Sequence, residues 1–189
     1  MLQSAPTVFY VTFTLARESG GIPQIGSLDS LLQTWSAAFS TGSWMSDFRD
    51  RSELLGWVRT VEVTFREGGF HPHIHAAFLF AAHLHGDHVQ SLLQRWLVAA
   101  ERRGLRASDK AQRGYYVAPG RDREKVASYL CKQSAIRRSS GGKGRTPGDL
   151  LHSVAKTGDA DDLQALLAFH RAVAGKQKIS TSRGFWNLA

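Results

Sequence analysis

The apolar positions of this chain switch between two periods, and the switches mark its elements. In TVFYVTFTLA (7–16), Phe9, Val11, Phe13 and Leu15 fall on one side of an extended chain and Tyr10, Thr12 and Thr14 on the other. That alternation, in a β-branched and aromatic stretch, predicts a strand with one buried face. SLDSLLQTWSAAFS (27–40) carries Leu28, Leu31, Leu32, Trp35 and Phe39 at helical spacing, which predicts a helix. Residues 56–80, GWVRTVEVTFREGGFHPHIHAAFLF, read as two strands joined by a turn at Gly68–Gly69. GDHVQSLLQRWLVAAERRG (86–104) predicts a second helix, capped by Asp87 and closed by Gly104. A short strand in RGYYVAP (113–119) precedes a helix over 121–134, whose apolar stripe is Val126, Tyr129 and Leu130. Two further helices follow at 149–158 and 160–175, with a candidate closing strand in KISTSRGFW.

Strands two and three are neighbours, so the sheet is at least partly antiparallel, and helices lie between the others. The pattern predicts an α+β fold: one sheet with helices packed on it. The whole chain, 1–189, reads as a single domain. Within it lie a basic glycine- and serine-rich loop at 137–148 and a C-terminal helical extension at 149–189. No internal repeat is present.

Composition changes that picture in one respect. Of 189 residues, 42% are apolar and 21% charged, enough to build a core and too apolar for disorder. The net charge of +8 is unusual, and it favours polyanionic partners, nucleic acid above all. Cys131 is the single cysteine, so neither an intramolecular disulfide nor a multi-cysteine zinc cluster can form. A reducing cytoplasm is the expected location. No apolar run approaches the length of a membrane span, and the first residues carry no basic-then-apolar secretory leader.

The candidate chemistry sits in FHPHIHAAFLF (70–80). In a strand, His71, His73 and His75 share one face, while Ile74, Ala76 and Phe78 take the other, core-facing one. Three crowded imidazoles make a poor stabilising surface, because each raises the cost of protonating the next. Neutral imidazole is, however, the commonest metal ligand. If Arg66–Gly69 closes the hairpin, Glu62 stands opposite His73, with β-carbons roughly 5 Å apart. Two histidines and a carboxylate then form a donor set suited to Mn²⁺ or Mg²⁺ in a phosphate-handling site, with zinc or cobalt also able to bind. One residue of slip would put Glu62 on the wrong face. His83 and His85 repeat the spacing but precede a helix, and read as loop residues.

YLCK places Tyr129 and Lys132 on one face of a helix. A phenol has a pKa near ~10 and is a weak nucleophile unless a cation or metal assists it. Tyr115 and Tyr116 compete for that role, but read as packing residues of a short strand.

Taken in order, YVTFT, HPHIHAAF and YLCK resemble the three motifs of the rolling-circle replication initiators of the HUH endonuclease superfamily, most closely the single-tyrosine plasmid Rep proteins. VEVTFREGGFHPHIH and the later GRTPGDLL…TGD…AGKQKISTSRGF are similar to the plasmid group, so the resemblance runs in patches from about residue 7 to residue 186. It implies a central antiparallel sheet of about five strands with flanking helices, the HUH arrangement on a ferredoxin-like core. It also implies nicking of single-stranded DNA at a replication origin. His73, His75 and Glu62 would hold a divalent metal, Mn²⁺ or Mg²⁺. His71 would orient those ligands from behind, since Pro72 suggests an edge or bulge. Tyr129 would attack the phosphorus to give a 5′-phosphotyrosine link and a free 3′-hydroxyl, with Lys132 orienting tyrosine or phosphate. Host replication helicase and polymerase would be partners.

The chain departs from the family pattern at three points. Some of those proteins have a glutamate one helical turn before the tyrosine, where this chain has Lys125; Glu124 lies well round the helix. Many carry a cysteine-containing segment ahead of the first motif, whereas this sequence starts almost at that motif. No G-x-x-x-x-G-K-[ST] loop marks an attached helicase. The alternatives are a relaxase or transposase of the same superfamily and a catalytically inactive DNA binder, with Arg137, Arg138, Lys143 and Arg145 as phosphate contacts. A third is a metal-dependent hydrolase using water.

Overall fold

The alternation around the histidines is realised as a long hairpin of β2 (Leu54–Arg66) and β3 (Gly69–Phe80). The structure, a computed structural model, describes residues 7–16, 26–40, 42–66, 69–83, 85–132 and 144–185. Arg66 pairs with Gly69, Glu62 with His73 and Thr60 with His75, which is the register that the two-residue connection at 67–68 requires. Gly69 has φ +110°, a conformation that side chains with a β-carbon rarely adopt, so glycine suits the exit from the turn. Pro72 sits in regular register opposite Val63 with no bulge, where β3 has only β2 beside it and so is locally a sheet edge. It is tolerated because β1 (Thr7–Phe13) has already ended on its other side, at the pair Phe13–Ile74.

The remaining elements are α1 (Gly26–Phe39), α2 (Trp44–Ser52), α3 (Gly86–Glu101), β4 (Arg113–Tyr116), α4 (Arg121–Lys132), α5 (Pro147–Thr157), α6 (Ala160–Val173) and β5 (Ile179–Thr181). The sheet has five strands in the order β4-β1-β3-β2-β5, and all its pairings are antiparallel. The fold is therefore α+β, as predicted. The C-terminal residues are more than a helical extension, because β5 closes the sheet along β2.

One sheet face is the main core. Phe9, Val11 and Phe13 of β1 and Ile74, Ala76, Phe78 and Phe80 of β3 pack against Leu28, Leu31, Trp35 and Phe39 of α1 and Leu92 and Trp96 of α3. Each large side chain buried this way contributes about 1.5–3 kcal/mol. The other face is covered only in part: Val8, Tyr10, Ala77 and Leu79 meet Val126 and Leu130 of α4 and Phe185. The less covered part carries His71 and His73, with His75 buried at its inner end.

Several boundaries differ from the periodicity reading, each for a local reason. β1 stops at Phe13, because the Gln112 amide takes over the Thr14 backbone: Thr14 N–H donates to Oε1 at 2.9 Å and Nε2 donates to Thr14 O at 3.2 Å. α2 leaves little trace in the periodicity, since only Met45 and Phe48 are apolar anchors buried among its charged residues. α3 is preceded by His85 as N-cap without a side-chain hydrogen bond; Asp87 lies inside the first turn, where its charge favours the helix dipole. α5 has the full capping box of Thr146 and Asp149, with proline at its start. No described helix is long and apolar enough to cross a membrane.

β4 reaches the sheet edge through a close approach. A β-carbon added to Gly114 would overlap Phe9 Cζ, in the middle of a buried ring's contact surface. Gly114→Ala is expected to cost about 1–3 kcal/mol of stability, the usual penalty of overpacking, read as a lower urea midpoint. An unchanged midpoint would show that Phe9 yields freely.

Candidate active site

Three strands and one helix converge on the open part of the second face. β3 supplies His71, His73 and His75, β2 supplies Glu62, β1 supplies Tyr10 and Thr12, and α4 supplies Tyr129. His75 is buried and central. Its Nε2 lies 2.8 Å from Glu62 Oε2, and its Nδ1 lies 2.9 Å from Tyr10 Oη and 3.0 Å from Thr12 Oγ1. The Tyr129 hydroxyl donates to the same Glu62 oxygen at 3.3 Å. Its ring meets His75 edge-on, with centroids 5.2 Å apart. Beside this group, His71 Nδ1 and His73 Nε2 are 2.6 Å apart.

The backbone register is the expected one, but the side-chain pairing is not. Glu62 faces His73 across the hairpin yet bonds His75, one pair along, while the His73 ring turns to His71. Thr60, directly opposite His75, is too short to fill the space, and the diagonal neighbour reaches in. His71 thus lies against His73 itself, on the side where an orienting group would stand.

Burial alone would raise the Glu62 carboxyl, but the hydrogen bond and charge of His75, then His73 and Tyr129, outweigh it and hold the group below the ordinary carboxylate range. Burial, then the neighbouring His71 and His75, pushes His73 down to about 4. His73 is therefore a neutral imidazole at neutral pH. Burial, first of all, keeps Tyr10 a protonated phenol far above its usual range. A carboxylate can only accept, so His75 donates from Nε2, and hydroxyls able to donate face Nδ1. The two hydroxyls facing Nδ1 can also accept; they serve equally well when the ring proton moves to Nδ1 and frees the Nε2 lone pair.

The donors fit a divalent metal by their chemistry. Glu62 is ionised, and the His73 lone pair is available. His73 Nδ1 is buried with no hydrogen-bond partner among the described residues. Among those residues the donors are joined in pairs, with no group of three or more His, Cys, Asp or Glu laid out around one point. A bound cation would replace the His71–His73 and His75–Glu62 hydrogen bonds.

Lowering the pH should destabilise this arrangement in a defined window. An unfolded histidine takes up its proton near ~6.5, the folded His73 only near about 4. Between those values the unfolded state binds more protons, so stability falls as pH falls, by about 3 kcal/mol across the window. Urea midpoints measured from pH 7 to pH 4 should show this, and His73→Gln should flatten the curve. A variant whose midpoint drops as steeply as that of the parent would place the titration elsewhere.

Other predicted residues are not gathered here. Lys132 is on the last turn of α4, on the face of Tyr129 by spacing, but its side chain lies outside the described residues, as do Arg137, Arg138 and Lys143. Arg145 is committed elsewhere: its guanidinium makes two bonds to Asp162, one of them 2.6 Å long, and its backbone pairs with Phe65. Lys125 pairs with Asp122 at 2.8 Å on the exposed side of α4. His83 and His85 are exposed, as expected of loop histidines. Tyr115 and Tyr116, which read as packing residues, are 53% and 52% exposed. Tyr10 and Thr12 escape a sequence reading as partners of His75; their signal is polar alternation on the strand that pairs with the histidines. No family model, curated protein or solved structure matches the chain.

Proposed function

We propose that the chain is a metal-dependent, site-specific nickase and joining enzyme for single-stranded DNA, acting as a Rep-type initiator of rolling-circle replication. The observation that carries this reading is the contact between Tyr129 and Glu62, itself bonded to His75. Groups from two distant segments meet with a phenol hydroxyl at an open polar surface, and Tyr129 is 39% exposed.

The chemistry follows from the side chains. A metal held by His73, His75 and Glu62 would supply charge to polarise the scissile phosphate. Glu62 accepts the phenol's hydrogen bond and so holds the Tyr129 hydroxyl beside His75. The oxygen attacks phosphorus, the Tyr129 Oη–P bond forms and the P–O3′ bond breaks. The phenolic proton is lost to solvent or a nearby base, and the departing 3′-oxygen takes one up. The 5′-phosphate stays on Tyr129 and the free 3′-hydroxyl primes synthesis by host helicase and polymerase. Lys132, by resemblance, steadies the phosphate. The net charge of +8 suits the substrate.

The test is incubation with Mn²⁺ and pooled single-stranded DNA of the chain's own replicon, followed by a denaturing gel. A covalent protein–DNA adduct supports the reading. Cutting without an adduct favours a water-using hydrolase. Salt-sensitive binding without cutting under any metal favours an inactive binder. Relaxase or transposase use of the same chemistry would show as an adduct with transfer or element-end DNA instead of origin DNA.

A further inference from the structure

Beyond the groups that would handle the scissile phosphate, the open face continues outward to the edge strand β4. Strand alternation puts Arg113 and Tyr115 on the face of the histidines: Tyr115 pairs with Tyr10, and Arg113 with Thr12. Tyr116 points the other way, against Phe9 at 5.6 Å. Tyr115 rests one side of its ring on Tyr10, with centroids 5.3 Å apart, and Tyr10 in turn meets Tyr129 at 6.3 Å. A line of rings therefore leads from the sheet edge to the proposed nucleophile. At its outer end more than half of Tyr115 is exposed. That ring leans on Tyr10 at a tilt of 47° and leaves much of its surface to solvent, and Arg113 beside it is exposed too.

We propose that Tyr115 and Arg113 form a subsite for single-stranded DNA, in which Tyr115 stacks on an unpaired base and Arg113 meets the adjoining phosphate. This rests on the single-stranded DNA reading above. A ring anchored on one side loses little freedom when a base covers the other, and stacking tolerates any base because each has a π-face. Arg113 adds a charge that a base alone would not recruit. The distance defines which base. β4 lies two strands from β3, and Tyr115 is offset two residues from the level of His75, which together make about 12 Å. At about 3.4 Å per stacked nucleotide, the subsite takes a base a few nucleotides from the scissile phosphate. It therefore adds affinity and register to a site that would otherwise hold one phosphate.

Binding is measured by fluorescence anisotropy in EDTA, so that no cleavage intervenes, on the full chain. The probes are a short oligothymidylate and an abasic oligomer of the same length. Tyr115→Leu keeps contact with Tyr10 but has no ring face; Tyr115→Phe keeps the ring. The expected result is about tenfold weaker binding of oligothymidylate by Tyr115→Leu, the loss of roughly one stacked base. Tyr115→Phe should stay within about twofold, and the abasic oligomer should bind both variants as it binds the parent. Arg113→Ala should weaken both probes alike and lessen their salt dependence. If the parent binds oligothymidylate and Tyr115→Leu binds it equally well, the subsite is wrong while the DNA reading stands. If Tyr115→Leu loses both probes to the same degree, stacking is refuted. If the parent binds neither probe, the subsite and the DNA reading fall together.

Discussion

Replacing Tyr129 by phenylalanine should abolish the covalent adduct and lower nicking by about 10⁴-fold or more, the scale of removing a nucleophile that acts as part of a unit. The substitution takes away one oxygen. In the folded chain that oxygen makes a 3.3 Å hydrogen bond to ionised Glu62 at a partly open surface, a long contact to a charged group whose loss costs about 1.5 kcal/mol. The aromatic ring keeps its edge contact with His75 at 5.2 Å and its contact with Tyr10 at 6.3 Å. The thermal midpoint should therefore fall by only a few degrees while the adduct disappears from a denaturing gel. An adduct persisting in Tyr129→Phe would move the nucleophile elsewhere, with Tyr115 the first to examine.

The second large effect concerns the donors. His73→Ala and Glu62→Gln are each expected to weaken Mn²⁺ binding by at least about 100-fold, above the 10–100-fold typical of residues that only orient ligands, and to bring nicking to background. Chelation of the parent by EDTA should do the same, reversibly. The two variants separate geometry from charge. The amide introduced by Glu62→Gln can still accept from Tyr129 and His75 but carries no charge to offset a cation, so that variant should fold normally and bind poorly. His73→Ala instead removes an imidazole that burial keeps neutral. Mn²⁺ binding is read by paramagnetic resonance of the free ion, independently of any cleavage. Either variant that binds Mn²⁺ like the parent would remove that residue from the donor set.

The donor residues of the second expectation could be found from strand alternation and the turn, whereas Tyr129 of the first came from its Tyr-x-x-Lys spacing on a helix. Two-residue periodicity puts His71, His73 and His75 on one face and Ile74 on the other, and the glycine turn sets the register that brings Glu62 alongside. Those readings need only backbone geometry. What periodicity cannot supply is side-chain direction: Glu62 reaches diagonally to His75, and His73 turns to His71. Nor can it show that Tyr10 and Thr12 close on the far nitrogen of His75, because β1 and β3 are distant in the chain and their pairing is tertiary. α2 is hidden by its charge, and the early end of β1 by the Gln112 amide. The exposure of Tyr115 is masked by the habit of aromatic residues in strands to pack.

The hairpin also determines the order in which the site can be assembled. Glu62 and His75 are separated by 13 residues, and their strands join through a two-residue connection, so closing that loop costs little chain entropy. Tyr10 and His75 are 65 residues apart, and Tyr129 and Glu62 are 67 apart. Those contacts must wait for longer closures, which are slower the greater the sequence separation. Chain entropy therefore favours Glu62 and His75 meeting first as a local unit, before α4 brings Tyr129 to them. A chain that has formed only its β2–β3 hairpin holds Glu62 and the three histidines together without Tyr129.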